Sequence, residues 1–345
     1  MSGRLTVRDP GLHTTLQDLG RFGAQRFGVP VAGALDTVAL RLANAVVGNP
    51  PGMAALEILV AGPTLEIEAA SVRMAIGGTG ATIEILEGGE RRTIPPWHSV
   101  TLERGAVFRI GALPETVCAY LAVEGGYEAR PILGSVSTYA RSRLGGFEGR
   151  PLRAGDSLAL ARDSATPGVE HALATPPDPG RDQPIRLVLG PQNEMFTAHA
   201  NETLLTSAYT ISTSADRMGL RLDGPPLAHA GSAEIVSDGT APGSIQVPGS
   251  GQPIVLLADR QTTGGYPKIA TIISTDLPVL ARRRPGDRVE FEAVDVAEAL
   301  AIRTEHVLWL EGCATSIVTG RNPMESLVEL LYGENLISGV TAGAE

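Results

Sequence analysis

Residues 26–29 read Arg-Phe-Gly-Val, and residues 217–220 repeat this pattern as Arg-Met-Gly-Leu. Two further pairs of short segments match at a similar offset of about half the chain. They are Leu56-Glu57-Ile58 with Ala233-Glu234-Ile235, and Arg104-Gly105-Ala106-Val107-Phe108 with Pro285-Gly286-Asp287-Arg288-Val289. Because the matches keep a nearly constant offset, they indicate a structural unit that has been duplicated within the chain.

The sequence around these matches has the pattern of a β protein. Short, partly alternating apolar runs at 72–76, 81–85, 99–102 and 106–110 are typical of strands. With 41 glycines and 25 prolines among 345 residues, many tight turns are expected between short elements. The sequence therefore predicts a mainly β fold in which two similar β-barrels pack side by side.

Three segments depart from this pattern and predict helices. Residues 36–47 put apolar side chains at helical spacing, begin with Asp36 as a cap and stop at Gly48-Asn49-Pro50. Residues 295–310 and 323–332 also have helical patterns, the last opening on Asn322-Pro323.

A proline-rich stretch divides the chain. Residues 166–184 hold five prolines and few bulky apolar side chains, so we expect an extended and exposed linker. The predicted organisation is a first barrel at 1–165, this linker at 166–184, a second barrel at 185–293 and a helical extension at 294–345.

Composition excludes several classes of function. A net charge of −10 argues against a nucleic-acid partner, which requires a basic face. No apolar run approaches the ~20 residues of a membrane span, and Arg4 and Arg8 are not followed by the apolar block of a signal peptide.

Cys118 and Cys313 are far apart and form no Cys-x-x-Cys pair, which favours the reducing cytoplasm. The six histidines lack metal-ligand spacing, so no metal site is expected.

Lys268 is the only lysine beside 27 arginines. Where arginine has replaced lysine so widely, the remaining lysine marks a position that needs a compact ammonium. It ends the polar, glycine-containing stretch Ala258-Asp259-Arg260-Gln261-Thr262-Thr263-Gly264-Gly265-Tyr266-Pro267-Lys268, which lies between apolar runs at 254–257 and 269–273. So many donors at the end of a buried strand predict a binding site at a barrel mouth.

Three other polar stretches carry candidate site residues. They are Gln17-Asp18-Leu19-Gly20-Arg21, the glycine-rich approach to the helix at 28–36, and Ser137-Thr138-Tyr139 with the loop at 144–150. The free amides at the helix start could receive an anion, unless Asp36 already occupies them as a cap. The chain has no phosphate-binding P-loop, no Gly-x-Ser-x-Gly elbow and no Met-Lys-Met segment for biotin.

These stretches resemble the biotin-dependent carboxyltransferase-like family, often labelled allophanate hydrolase subunit 2. The family includes the C subunits of bacterial 5-oxoprolinases, KipA-type proteins and the carboxyltransferase portion of urea carboxylases. The resemblance rests on the segments 17–21, 33–36 with Leu42-Ala43-Asn44, 145–150, 244–248 and 261–268, and extends to 335–340. Leu35 stands where many relatives have Met, a substitution that conserves volume.

The resemblance implies two cyclophilin-like barrels and a hydrolase built from several different chains. In the oxoprolinase group, this type of chain is joined by two partners, a KipI-like B subunit together with an A subunit. The three use ATP to open 5-oxoproline (pyroglutamate) to glutamate. Two alternatives stay open. One is carboxyl transfer from a biotinylated partner to urea or a related amide, and the other is a KipA-like regulator that only binds its KipI-like partner.

Roles follow as hypotheses for a small anionic amide or lactam substrate. Lys268, with Asp259 or Asp18 as base or orienting group, forms the expected catalytic set. The expected substrate-binding residues are Tyr266, Gln261, Arg260, Gln246, Gly264, Gly265, Gln17, Arg21, Tyr139 and Arg217.

Overall fold

The computed structural model describes residues 3–87, 90–180 and 182–319, and it confirms the mainly β architecture. The strands are β1 (Arg4–Asp9), β2 (His13–Gln17), β3 (Ala55–Leu59), β4 (Thr64–Ile67), β5 (Ser71–Gly77), β6 (Ile83–Glu87), β7 (Glu90–Ile94), β8 (Ser99–Glu103), β9 (Val107–Arg109), β10 (Cys118–Val123), β11 (Ser157–Ala159), β12 (His171–Leu173), β13 (Ile185–Leu189), β14 (Tyr209–Ile211), β15 (Gly219–Asp223), β16 (Asp238–Gly239), β17 (Ser244–Gln246), β18 (Ile254–Leu256), β19 (Thr263–Gly264), β20 (Lys268–Ile272), β21 (Arg288–Val289), β22 (Phe291–Ala293) and β23 (Ile317–Thr319). The helices are α1 (Thr37–Val46), α2 (Ala198–Thr206), α3 (Leu277–Ala281) and α4 (Val296–Thr315).

The first half of the chain forms two sheets that share one core. One sheet has the strand order β11-β1-β4-β9-β6-β7, and the other has the order β2-β3-β10-β5-β8. Leu5 and Leu65 from the first sheet and Ile58 and Leu121 from the second belong to the same fully buried cluster. The strands of the first sheet alternate buried and less buried residues, as in β4, because one face of that sheet meets this core. In the second sheet β10 is buried throughout, because its other face belongs to a second buried cluster that contains α1.

The second half forms an eight-stranded sheet in the order β21-β14-β15-β18-β17-β20-β13-β22. Its two edge strands, β21 and β22, are consecutive in the chain and separated only by Glu290. Because the two edges meet there, the sheet is a nearly closed barrel, which leaves little unpaired edge.

Helix α1 confirms the predicted helix after Asp36 and packs at the junction of the two halves. The Asp36 carboxylate accepts hydrogen bonds from the Val38 and Ala39 amides, both at 3.0 Å. Leu40 and Leu42 are fully buried in the cluster that also contains the core of the second barrel. Asp36 therefore caps the helix and occupies the amides that an anion would need.

Two of the three repeat matches do not correspond in structure. Arg26 is exposed in a short 3-10 helix (Gln25–Phe27) whereas Arg217 is buried, and Glu57 lies in β3 whereas Glu234 is an exposed loop residue. Only Gly105 and Gly286 match, with φ of 87° and 92° in turns that lead into β9 and β21. Of the three sequence matches, only this one therefore joins positions that correspond in the fold.

The prediction that residues 166–184 form an exposed linker was wrong for the centre of this segment. β12, at His171–Leu173, pairs with β23, and Ala172 and Leu173 are buried. A local proline count could not detect this pairing because the partner strand lies almost 150 residues further along the chain. The boundaries at 165, 184 and 293 themselves stay predictions.

Helix α4 confirms the predicted helix at 295–310 and continues to Thr315, with Asp295 as its cap. Helices α2 and α3 were not predicted, and the expected helix at 323–332 and the segment 335–340 lie outside the described residues. Within the described ranges, no helix is both long and apolar enough to cross a membrane.

Candidate functional site

The predicted site residues fall into three groups, and the first surrounds a cleft between the two halves. The cleft has a volume of about 330 Å³. Gln17 at the end of β2 and Thr138 line it from the first half, and Arg217 and Asp259 line it from the second. Tyr139 follows Thr138 and precedes a short 3-10 helix (Ala140–Ser142), whose Ala140 also lines the cleft.

Arg217 links the two halves through buried ion pairs. Its Nε and Nη2 donate to the two carboxylate oxygens of Asp259 at 3.0 and 3.1 Å. Its Nη1 donates to Glu57 of β3, and Nη2 also donates to the carbonyl oxygen of Gly33 at 2.6 Å. A guanidinium presents five N–H groups in a planar fork, so it can join two carboxylates and a carbonyl at once.

Glu57 is further held by neutral donors. The Tyr120 hydroxyl donates to its Oε2 at 2.6 Å, and the Leu35 amide donates to the same oxygen at 2.9 Å. Burial, and then the charge of Glu57, raise the pKa of Tyr120 well above its usual value. Burial alone would lower the pKa of Arg217, but the charges of Glu57 and Asp259 outweigh it and the pKa rises. The network therefore keeps Arg217 charged and Tyr120 neutral at any physiological pH.

The Asp18 carboxylate organises the loop behind the cleft. It accepts hydrogen bonds from Ser135 Oγ at 2.6 Å, the Gly20 amide at 2.7 Å and the Val136 amide at 2.8 Å, and from Ser137 Oγ. Three of these bonds go to Oδ1 and one goes to Oδ2, and three of the four donors belong to the segment 135–137. The geometry gives Asp18 a positioning role, since its carboxylate joins its own turn to that distant segment.

Arg21 is fully buried beside this loop and donates from Nη2 to the carbonyl oxygen of Ser137. Gly145 makes this approach feasible, because a Cβ there would lie 2.1 Å from the Ser137 oxygen and 2.8 Å from Arg21 Nη2. Its φ of 70° is also a conformation that glycine adopts at little cost. The glycine-rich loop at 144–150 therefore leaves the space that the Arg21 guanidinium occupies.

Four buried polar atoms in or beside the cleft have no hydrogen-bond partner among the described residues. They are Gln17 Oε1 and His13 Nδ1, on residues that line the cleft, and the donors Nε and Nη1 of Arg21, which is bonded to Ser137 beside the lining residue Thr138. Burial lowers the pKa of Arg21, while the charges of Asp18 and Asp259 oppose that shift. Since buried polar groups are normally satisfied, unpaired atoms of both kinds indicate a place for a small polar molecule.

The second group surrounds Lys268 at the start of β20. Lys268 is 2% exposed, and its Nζ donates to Asp238 Oδ2 at 3.1 Å, although the Asp238 side chain is 56% exposed. The hydrogen bond from Lys268, followed by the one from the Gly239 amide, lowers the pKa of Asp238. A buried ammonium whose counter-ion reaches into solvent can exchange that partner for another anion.

Glutamines complete the Lys268 group. Gln261 Nε2 donates to Gln246 Oε1 at 2.9 Å, and Gln246 Nε2 lies 3.5 Å from the carbonyl oxygen of Tyr266. A Cβ at Gly264 would lie 2.4 Å from Gln246 Nε2, so the glycine is needed for this contact. Gly265 and the partly exposed Tyr266 belong to the turn that leads into β20.

Arg260 forms the third group. It is 1% exposed and donates only to carbonyl oxygens, from Nε and Nη2 to Thr240 at 3.4 Å and from Nη1 to Leu257 at 3.3 Å. No carboxylate of the described residues lies within ion-pair distance of it. Burial lowers the pKa of Arg260 to about 10, so it remains charged at neutral pH.

The structure thus brings Gln17, Arg217 and Asp259 together at one cleft and leaves Lys268 with the glutamines in a separate group. Sequence reasoning missed Glu57, Tyr120 and Asp238 as their partners. The signal for Glu57 was present, because a carboxylate in the apolar run Leu56-Glu57-Ile58 must be paired once that strand is buried.

The comparisons with known proteins agree with this architecture. The sequence profile described as "carboxyltransferase domain, subdomain A and B" matches residues 27–293, and the chain belongs to that family. It is 36% identical to the 5-oxoprolinase C subunit of Haemophilus influenzae over 307 residues, which cover 89% of this chain and 96% of the relative.

A second curated relative and a solved structure also match this chain. The chain is 36% identical to the 5-oxoprolinase C subunit of Escherichia coli over 318 residues, which cover 90% of this chain and 97% of the relative. The crystal structure of the Kluyveromyces lactis urea carboxylase matches with a TM-score of 0.81 and 25% identity. That match covers 94% of this chain but 31% of the yeast chain.

Proposed function

We propose that this chain is the C subunit of an ATP-dependent 5-oxoprolinase, acting with a KipI-like B subunit, joined by an A subunit, to convert 5-oxoproline to glutamate. The observation that carries the proposal is its similarity to two 5-oxoprolinase C subunits over almost their whole length. The urea carboxylase resembles this chain over only part of its own length. Because the reaction consumes ATP, we assign it to the cytoplasm.

The chemistry explains why such a reaction needs ATP. An unstrained five-membered lactam is a poor electrophile, and transfer of the γ-phosphoryl group to its carbonyl oxygen makes the carbon reactive. Water then adds to that carbon, the ring C–N bond breaks and the nitrogen takes a proton. A second water releases phosphate, which leaves the new carboxylate and amine of glutamate. We assign ATP to the complex as a whole.

The cleft between the two halves supports an amide site. An amide carries one N–H donor and one carbonyl acceptor, and the unpaired atoms include an acceptor on Gln17, which lines the cleft, and donors on Arg21, which is buried beside it. We therefore propose that Gln17 accepts from the lactam N–H and that Arg21 donates to its carbonyl oxygen. Once the γ-phosphoryl group is on that oxygen, the Arg21 guanidinium can pair with the negative phosphoryl oxygens.

For Lys268 we propose a separate role with an anion. Its ammonium is buried while its partner Asp238 is exposed, so a carboxylate or a phosphoryl group can replace Asp238 at Nζ. Lys268→Ala removes the cation, and Lys268→Arg keeps the charge with a larger, planar group. Turnover in the reconstituted complex should fall for both variants, and undiminished turnover in both would remove Lys268 from the site.

The proposal is tested by co-purifying the chain with its KipI-like partner and the third member of the complex, and measuring glutamate release from 5-oxoproline. We expect release that requires ATP and is unaffected by avidin. Avidin-sensitive fixation of bicarbonate on urea would instead support the carboxyltransferase component of a urea carboxylase, the enzyme for which the yeast structural relative is named. Tight binding of the KipI-like partner without turnover would support a KipA-like regulator.

A further inference from the structure

A second pocket, which we call the Arg260 pocket, lies on the other side of residues 258–260 from the cleft. Its volume is about 570 Å³. Residues of the segment 19–37 form one wall, and residues from β20, α3 and the segment after β18 form most of the other. Asp259 lines the cleft while its neighbours Ala258 and Arg260 line this pocket, so the two cavities share this short segment.

The wall of the Arg260 pocket is mostly apolar. Leu19, Val31, Leu35, Leu257 and Leu277 contribute to it. Among the residues of this wall, all of them described, Arg260 alone carries a charge. A pocket of this volume with an apolar lining and a single charged group has the character of a site for a small organic molecule.

The charge of Arg260 is uncompensated. Its three hydrogen bonds are long and go to neutral carbonyl oxygens, which leaves two of the five guanidinium N–H groups without an acceptor. A buried cation normally has a carboxylate or another anion beside it, because leaving water is otherwise costly. Arg217, which is buried beside the same segment, has two such carboxylates.

We propose that the Arg260 pocket binds an amphipathic carboxylate, whose anionic group pairs with Arg260 and whose apolar body lies against Leu19, Val31 and Leu257. The lactam of 5-oxoproline does not fit this description, since its ring N–H and carbonyl would meet a mostly apolar wall. The inference is therefore independent of the proposed function and concerns a different ligand.

The test measures binding of hexanoate, octanoate and octanol to the full chain by isothermal titration calorimetry. Octanoate should bind about 15-fold more tightly than hexanoate, because it buries two more methylenes and each improves the binding constant about fourfold. Octanol, which has the same chain without the anion, should bind at least tenfold more weakly than octanoate. Equal binding of octanol and octanoate, or no octanoate binding, would overturn the proposal.

Two variants assign the binding to this pocket. Arg260→Met should weaken octanoate at least tenfold and leave octanol unchanged. Ser274 is an exposed residue of the pocket wall, so Ser274→Trp should obstruct the pocket without disturbing the core, and weaken both ligands. The matched control is Ser164→Trp, at an exposed serine outside this wall, which should bind as the unmodified chain does.

Two outcomes would contradict the assignment. Unchanged octanoate affinity in both Arg260→Met and Ser274→Trp would mean that octanoate binds elsewhere. Displacement of octanoate by 5-oxoproline at similar concentration would make Arg260 part of the amide site, and would overturn a separate carboxylate pocket while leaving the proposed function intact.

Discussion

Arg217 and Arg260 are both buried arginines beside the same short segment, yet their surroundings are opposite. Arg217 is paired with Glu57 and Asp259, from different halves of the chain, whereas Arg260 meets only carbonyl oxygens. A paired buried charge fixes the relative position of the elements that supply its partners. A buried charge without a counter-ion adds little to the fold and remains free to attract a ligand. Arg217 is therefore a structural cation, whereas Arg260 has the surroundings of a cation that binds a ligand.

The largest expected effect is on stability, at Arg217. Arg217→Met leaves Glu57 and Asp259 buried without their cation, so we expect a loss of about 3–5 kcal/mol in the free energy of unfolding. Urea denaturation followed by circular dichroism measures this loss. The matched control is Arg221→Met on the exposed side of β15, which should change stability by less than about 0.5 kcal/mol. Similar losses in both variants would contradict the structural role of Arg217.

A rescue experiment tests whether the unpaired carboxylates cause this loss of stability. Adding Glu57→Gln and Asp259→Asn to Arg217→Met removes the orphaned charges, so part of the lost stability should return. No recovery would mean that the loss came from packing around Arg217 rather than from its charge.

The next effect concerns the loop that holds Arg21. Gly145→Ala places a Cβ against the Ser137 carbonyl at a positive φ, and should cost about 2–4 kcal/mol, by the same denaturation measurement. The control is Gly155→Ala, which has a φ of 87° but no neighbouring atom within 4 Å. It should cost only about 1 kcal/mol, the conformational part. Equal costs would show that the loop can move away from Arg21.

Arg260→Met should change stability by less than about 1 kcal/mol. The substitution removes a buried charge that has no counter-ion, and this gain offsets the loss of three long hydrogen bonds. Its melting curve therefore separates the two arginines directly. A loss as large as that of Arg217→Met would mean that Arg260 is a structural cation too.

The smallest effect is a pH dependence at His13, which lines the cleft. Burial, and then the charge of Arg217, lower the pKa of His13, against opposing carboxylates at Glu57 and Asp259. The unfolded chain therefore takes up a proton near pH 6.5 that the folded chain resists. Stability should be complete above pH 6.5 and decline as the pH falls below it.

His13→Asn should remove part of this decline between pH 7.5 and 5. His306, whose pKa is also lowered chiefly by burial, accounts for a second part, so only the double variant should approach a flat profile. An unchanged slope in His13→Asn would exclude His13 as a contributor.

The sequence predicted the elements whose signals are local. The cap at Asp36, the helix at 295–310 and several strands follow from patterns within ten to twenty residues. It also named Gln17, Arg217 and Asp259 as candidate site residues, and the fold brings these three to one cleft. The pairing of β12 with β23 was not predictable in this way, since neither segment indicates its partner.

The sequence did not predict how the candidate site residues are divided among cavities. Residues 258–268 form one continuous polar stretch, and the sequence therefore suggested a single cleft. In the fold, consecutive residues of that stretch line different cavities. Asp259 lines the cleft, Arg260 lines the Arg260 pocket, and Lys268 pairs with Asp238. The cavity that a residue lines depends on the direction of its strand and on the position of the other half of the chain. A local sequence pattern gives no information about either.

We propose that the cleft between the two halves is the amide site of an ATP-dependent lactam hydrolase. The most direct test measures glutamate release by the reconstituted complex carrying Gln17→Met. The control is Gln252→Met, which changes another glutamine with an unpaired Oε1, outside the cleft. With assembly of the complex and melting temperature preserved, we expect kcat/KM for 5-oxoproline to fall about 10- to 100-fold in Gln17→Met and to stay unchanged in Gln252→Met. Equal turnover in both variants would contradict an amide site at this cleft.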